Sequence, residues 1–431
     1  MKRRGFLIAM ATLAASGWLL RPSNQGQPHG DYFQTINDYL RRAGPGRPLM
    51  LIDRQRLAAN CKTLMSMMPR HCQLRIVAKS LPSVPLIQEV MTHTGSRRIM
   101  VFHQPFMNAL ADADPGCDML LGKPMPIRAA RRFYSELSHN EQSHPSPFKP
   151  DQQLQWLIDS SSRLEQYLSL AREQQRHLNI NIEIDVGLHR GGLTDPQQLD
   201  AMIALIEAHP EQLRFSGFMG YDAHVGRLPS FVQSAEEGHR ETEALYQQYI
   251  HRLYQLNPAY RKQDLCFNGA GSPTLALYDD STVVNELSAG SCLVKASDFD
   301  LPLLQRFQPA AFIAAPVIKQ LNGLALPGPL PLGELWQSWD TNRRQSYFIY
   351  GGYWKAEPIS PPGIQANPLY GASSNQMMYN ASEDTALQVD DQLFLRPTQS
   401  EFVLLQFGDL AVWENGAVSD WWPPLPQANG A

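Results

Sequence analysis

The sequence has no basic stripe, no cysteine spacing suited to a metal, and no apolar run as long as a membrane span. Each absence removes a class of function. With a net charge of −4 and no clustering of Lys and Arg, a nucleic acid partner is not expected. The five cysteines, Cys61, Cys72, Cys117, Cys266 and Cys292, are odd in number and widely separated. They read neither as a zinc site nor as a complete disulfide framework, and free buried thiols fit them, although one disulfide pair would still leave three thiols. The apolar run from Phe6 to Leu20 is 15 residues long, short of the roughly 20 that cross a bilayer as a helix. It follows Lys2-Arg3-Arg4-Gly5, and adjacent arginines before such a run predict a twin-arginine export signal over residues 1–22. The protein is therefore expected in the periplasm, or held on the inner membrane facing it, because no clear small-x-small cleavage site is present. A Sec-type signal or short anchor is the competing reading.

What is present is an ordinary globular composition, 43% hydrophobic over 431 residues. Between about residues 46 and 300, strand-like runs alternate with helical patterns. The runs include Pro48–Asp53, Leu74–Ala78, Arg98–Phe102, Gln155–Asp159, Leu178–Val186 and Leu265–Asn268. Asp195-Pro196 opens one of the helices, with Met202, Leu205 and Ile206 as its apolar face. This alternation predicts parallel βα units, an α/β fold, over residues 46–300, which the family resemblance of the motifs below closes into a (β/α)8 barrel. From 305 to 425 the pattern turns to β-rich runs at Phe312–Ile318, Gln345–Tyr350, Glu401–Leu405 and Leu410–Trp413. A C-terminal, mainly β domain is expected there, with residues 30–45 adding a strand to it.

Three motifs stand at predicted strand ends: Val77-Ala78-Lys79-Ser80, Asp185-Val186-Gly187-Leu188-His189-Arg190-Gly191-Gly192 and Gly269-Ala270-Gly271-Ser272-Pro273-Thr274. A lysine at a strand end is most often a solvated charge, and Arg-Gly-Gly is most often a turn. Together they supply what pyridoxal phosphate requires: an amine for its aldehyde, a group facing its ring nitrogen, and N–H donors for its phosphate. Lys79 would be delivered into a dry barrel mouth, and the small residues of the third motif would offer free amides to an anion.

In these motifs the chain resembles the fold type III pyridoxal phosphate enzymes related to alanine racemase, specifically the D-threonine aldolase and D-serine dehydratase branch, over roughly residues 30 to 425. The resemblance implies that Lys79 carries the cofactor as a Schiff base and that Arg190 faces the pyridine nitrogen. It implies that Gly269, Gly271, Ser272 and Thr274 surround the phosphate. Phe215–His224 resembles the branch's Gly-x-x-x-Tyr-x-x-His strand end, which places Tyr221 near the cofactor. Asn285–Ser291 resembles its Glu-Leu-x-x-Gly segment, with Cys292 where the branch usually has tyrosine. Dimerisation is implied by the family alone.

The chain departs from the branch where metal-dependent members carry their ligands. Gln399 stands in place of the histidine and Glu401 in place of the second ligand. An amide with a single carboxylate is a poor zinc site, so no metal is predicted, and Glu401 is expected to act as a buried, metal-free base. The expected activity is a lyase acting on a small D- or 3-hydroxy amino acid, by retro-aldol cleavage with Lys79, Tyr221 and Glu401 as catalytic residues. β-Elimination of the D-serine dehydratase type and racemisation remain alternatives. Racemisation requires a second acid/base from Tyr221, His224 or a partner chain. A non-catalytic cofactor-binding protein is the reading from a different class.

Overall fold

The computed structural model describes residues 21–141, 146–227, 229, 231–324 and 332–427. The export signal expected at residues 1–22 thus falls, up to residue 20, outside the described residues. Among the described residues no helix is long and apolar enough to cross a membrane, and all five cysteines are buried and unbridged. The chain divides into two compact units.

One unit takes the residues up to Ile52, Ala311–Thr398 and Leu410–Trp421. Its first strand, β1 (Leu49–Asp53), is buried along its whole length. The sequence placed this run in the barrel, but β1 pairs antiparallel with Ala311–Asn322, Leu51 standing opposite Phe312. A continuous apolar run has the same appearance in a barrel strand and in a covered antiparallel one. Residues 30–45 are likewise not a strand. Asp31–Ala43 is a helix, because Ile36 and Leu40 recur at helical spacing with Tyr32, Phe33 and Tyr39 beside them. That stripe packs on Leu49, Leu51, Phe312, Phe394 and Trp413.

The other unit comprises Asp53–Ala310, Gln399–Asp409 and the residues from Trp422 on. Eight parallel strands close its barrel: β2 (Gln73–Val77), β3 (Arg98–Val101), β4 (Asp118–Leu121), β5 (Leu154–Ile158), β6 (Leu178–Glu183), β7 (Leu213–Met219), β8 (Cys266–Gly269) and β9 (Glu286–Ala289). Pairing of Gln73 with Glu286 and of Ile76 with Ala289 completes the ring. Helices occupy the crossovers. One begins at Asp195, whose carboxylate caps Gln197 in a box with Gln198, and continues as Leu199–Ala208 with Met202, Ile203 and Ile206 buried.

The barrel interior holds an ionic cluster where an apolar layer is usual. Arg75, fully buried, contacts Glu286 through Nε, donates to Glu286 Oε2 from Nη2 (2.7 Å) and lies 2.6 Å from Asp118 Oδ1. Arg98 Nη1 adds a second cation 3.0 Å from Glu286 Oε2. Burial opposes the charge on Glu286, yet Arg75 and Arg98 hold its carboxyl below the usual range. Asn268 Nδ2 donates to Glu286 Oε1 and to Ser288 Oγ, each at 2.9 Å. The cluster thereby fixes two side chains that face the barrel's upper mouth.

The remaining strands are β10 (Ala311–Asn322), β11 (Gln345–Tyr350), β12 (Ala356–Ser360), β13 (Gln365–Ala366), β14 (Gln376–Ala381), β15 (Gln392–Pro397), β16 (Leu410–Glu414) and β17 (Ala417–Trp422). With β1 they form a nine-stranded sheet in the order β13-β14-β11-β10-β1-β16-β17, and β15 pairs with β10 and β12. The strand predicted at Glu401–Leu405 is absent. Leu404 N donates to Ser400 O as in a helical turn, and Val403 and Leu404 are buried side by side while Phe402 is exposed, which breaks the alternation a strand needs. Residues 399–409 accordingly leave the β domain and group with the barrel.

Candidate active site

Residues at or just past the C-terminal ends of all eight barrel strands line one cavity of about 380 Å³, the end at which such barrels place their chemistry. Lys79 lies in the single turn Ala78–Ser80 that follows β2. Its Nζ is 2.9 Å from Glu401 Oε1 and 4.9 Å from the centre of the Phe102 ring. The lysine is neither dry nor isolated, and Glu401 is not buried: their side chains are 42% and 38% exposed. So exposed a pair contributes only about 0–1 kcal/mol, which leaves both groups available to a ligand.

Arg190 is carried by a loop that Asp185 folds. Asp185 Oδ1 accepts from Gly187 N (2.9 Å) and His189 N (3.0 Å), and Oδ2 lies 2.8 Å from His189 Nδ1. Gly187 takes φ +111 and His189 takes φ +54 in the turn this creates. Burial opposes ionisation of Asp185, but the bonds from His189 and Gly187 hold its carboxyl below the ordinary range. The Arg190 guanidinium comes to rest 4.8 Å from the centre of the Tyr221 ring. Burial, and then Asp222, push the Tyr221 hydroxyl up, so the phenol keeps its proton at neutral pH. Its ring lies against Gly271, where a Cβ would stand 2.7 Å from Tyr221 Cε2.

The glycine loop differs from the sequence expectation of free amides. Ala270 N donates to Tyr278 Oη (3.1 Å) and Gly271 N to Thr274 Oγ1 (3.1 Å). Both hydroxyls donate in turn to the buried carboxylate of Asp222, at 2.8 Å from Thr274 and 2.9 Å from Tyr278. Thr274 is therefore fully buried behind the loop and does not line the cavity, and neither does Gly269. Their part is to shape the turn. Among the described residues the N–H groups of Ser272 and Ser291 at this edge have no acceptor, while Ser272 Oγ accepts from Gly290 N (3.2 Å) and Cys292 N (3.1 Å).

Lys79, Arg190, Tyr221, Gly271, Ser272 and Glu401 thus share one cavity, and Gln399 and His224 do not line it. The His224 ring instead packs against Gly187, with Nδ1 buried and without a partner among the described residues. Among the described residues no group of three His, Cys, Asp or Glu side chains is spaced to hold a metal ion.

Sequence reasoning passed over Phe102, Asp159 and Glu183, which also line the site. Glu183 had a legible signal, for Asn179, Asn181 and Glu183 form a polar period of two within an otherwise apolar buried strand. Burial, aided by Asp159 and Asp185 and opposed by Arg190, pushes its carboxyl up to about 7.

Solved structures share the architecture at identities that carry the fold alone. D-threonine aldolase from Filomicrobium marinum superposes with a TM-score of 0.67 at 16% identity, over 87% of this chain and 94% of that one. D-threo-3-hydroxyaspartate dehydratase from Delftia sp. HT23 gives 0.62 at 18%, over 88% and 97%. Alanine racemase from Bacillus anthracis gives 0.63 at 12%, over 88% and 97%. No curated protein matches the sequence. The family described as alanine racemase, N-terminal domain, matches residues 52–298, more than half of the chain and the whole closed barrel, and this protein belongs to that family.

Proposed function

We propose that the protein is a pyridoxal phosphate-dependent lyase that cleaves the Cα–Cβ bond of a small D-configured 3-hydroxy amino acid. The observation that carries this reading is the contact of Lys79 Nζ with Glu401 Oε1 at 2.9 Å, inside the cavity at the barrel mouth. An amine and a carboxylate side by side are what the reaction asks for.

The residues present fit the cofactor. A Cβ at Gly290 would stand 2.8 Å from Val77 O and 3.0 Å from Ser80 Cβ, and one at Gly271 would strike Tyr221, so both positions hold the backbone close around the space an anion would take. The unfilled N–H groups of Ser272 and Ser291 suit a phosphate, and the volume suits a ligand of this size. Lys79 would hold the aldehyde and Arg190 the ring nitrogen. When bound, pyridoxal phosphate supplies an aldehyde that condenses with amines and a conjugated ring that takes electron density from the breaking bond.

The chain supplies the proton transfers and the surroundings. Glu401 accepts the proton of the substrate's β-hydroxyl, which becomes the carbonyl of the released aldehyde as the Cα–Cβ bond breaks. The Cα left behind takes up a proton, and Lys79 Nζ, in contact with Glu401, is the donor. Tyr221 keeps its proton and acts as a hydrogen-bond donor, not as a base. Phe102, Met219 and Phe299 line the cavity with apolar surface that limits water. Export through the signal at residues 1–22 would make this a periplasmic activity, and the family implies a homodimer.

The reading is tested by adding D-threonine, D-serine and D-alanine to the purified protein loaded with cofactor, with and without EDTA. Aldehyde released from D-threonine and unaffected by EDTA is the expected result. Keto acid from D-serine would mark elimination instead, interconversion of alanine enantiomers racemisation, and cofactor binding without turnover a binding protein.

A further inference from the structure

Three carboxyls line the cavity, Asp159, Glu183 and Glu401, and they differ in their partners. Glu401 pairs with Lys79, and Asp159 Oδ1 accepts from Ser160 Oγ at 3.2 Å. The Glu183 carboxyl has neither a hydrogen bond nor an ion pair among the described residues, although the residue is only 8% exposed. A charged carboxylate in that position would lack the compensation that buried charge requires.

Its surroundings explain why the group stands alone. Glu183 is the last residue of β6, opposite the apolar side chain of Met219 at the end of β7. Below it on the same face, Asn181 turns its amide to Gln155 Oε1 (3.1 Å) and Asn179 to Leu154 O (2.9 Å). Above it runs the loop that carries Arg190. A Cβ at Gly191 would stand 3.8 Å from both Glu183 oxygens, so the residue next to Arg190 has room for little more than a methyl group before it meets this carboxyl. The charged groups facing it are Arg190 and Asp185 from the loop and Asp159 from the end of β5. The rest of the cavity contributes Lys79, Lys123 and Glu401, with the phenol of Tyr221. Among the described residues Arg190 has no ion pair, and its guanidinium lies over the face of Tyr221.

We propose that Glu183 is a positioning residue for Arg190: as a neutral acid it leaves the guanidinium on Tyr221 and open to the bound ligand, and as a carboxylate it draws the guanidinium away. Glu183 ends β6 and Arg190 lies on the loop that follows it, so the change asks only for a side-chain movement within that loop. Burial, which favours the neutral form up to about pH 7, puts the change within the range where an enzyme works. Its consequence for ligand binding rests on the cofactor reading above, but the protonation of Glu183 does not.

Two measurements on the full chain separate these parts. The first is the infrared difference spectrum of the cofactor-free protein between pH 6 and pH 8.5. A carboxylic acid C=O band present at pH 6, lost at pH 8.5 and missing in Glu183→Gln is expected, and its absence from the wild type would overturn the proposal. The second is the ratio of pyridoxal phosphate Kd values for wild type and Glu183→Gln, in which the common dependence on Lys79 cancels. The two should match at pH 6, and the variant should bind at least about tenfold tighter at pH 8.5, the worth of one hydrogen bond to a charged group. A ratio that does not change with pH would overturn the proposal. Wild type that takes up no cofactor at either pH would sink the cofactor reading, leaving the infrared band to decide the state of Glu183. If Glu183→Gln does not fold, Arg190→Gln replaces it: removing the opposing cation must raise the midpoint of the band, and an unmoved midpoint refutes the coupling.

Discussion

Replacing Glu286 by Gln tests how the barrel supports its site. Glu286 is 2% exposed and receives Arg75, Arg98, Asn268 and Cys266. The substitution leaves Arg75, buried with no exposed surface, with Asp118 alone. Removing one partner of such a pair costs about 3–5 kcal/mol, because the surviving charge stays desolvated. Arg75→Met leaves the opposite excess and a cost of the same order. In the double variant Arg98 and Asp118 remain and the cluster is neutral again, so it should be less destabilised than the two single costs added together, by at least about 2 kcal/mol. The assay is urea unfolding of the four proteins, followed by tryptophan fluorescence at pH 7. Additive costs would refute the claim that these residues act as one buried unit. The pH dependence has a definite sign. Because the folded carboxyl lies below its unfolded value, its contribution is complete above about pH 4.5 and is lost as the pH falls through the folded value. Wild type should therefore lose more stability than Glu286→Gln between pH 5 and pH 3.

Glu183→Gln should have the opposite signature. Holding the wild-type carboxyl protonated to about pH 7 instead of 4.5 corresponds to about 3 kcal/mol at about 1.4 kcal/mol per pH unit. This stability is present below pH 4.5 and lost as the pH rises toward 7, so the variant should be the more stable protein at pH 8 and unfolding curves at pH 5 and 8 will show it. Gly271→Ala, whose Cβ would press on Tyr221, should weaken pyridoxal phosphate binding about tenfold or more, as read by fluorescence titration. Thr274→Val removes a donor from buried Asp222 and should cost about 1–3 kcal/mol of stability, measured as a lower urea midpoint.

The barrel was legible because its strands are apolar runs separated by helical patterns, and the site because Lys79, Arg190, Tyr221 and Ser272 all follow such runs. The misplaced pieces share a physical cause. Leu49–Ile52 is buried on both faces, so its period does not reveal whether its neighbours are parallel or antiparallel. In Asp31–Ala43 the spacing of a few apolar residues decides between strand and helix, and in the short Glu401–Leu405 between strand and turn. The amides of Ala270 and Gly271 are taken by the hydroxyls of Tyr278 and Thr274, and these are held by Asp222, which is distant in sequence and meets them only in the folded chain. Glu183 needed the burial that the closed barrel creates and the charged neighbours that it brings to the strand end.

The central claim is that Lys79 carries pyridoxal phosphate. Borohydride reduction of the cofactor-loaded protein, followed by peptide mass analysis, tests it most directly. The account predicts the mass of the reduced cofactor on the peptide containing Lys79 and its loss in Lys79→Ala. An unmodified Lys79 peptide, or a label on Lys123 in its place, would contradict the account.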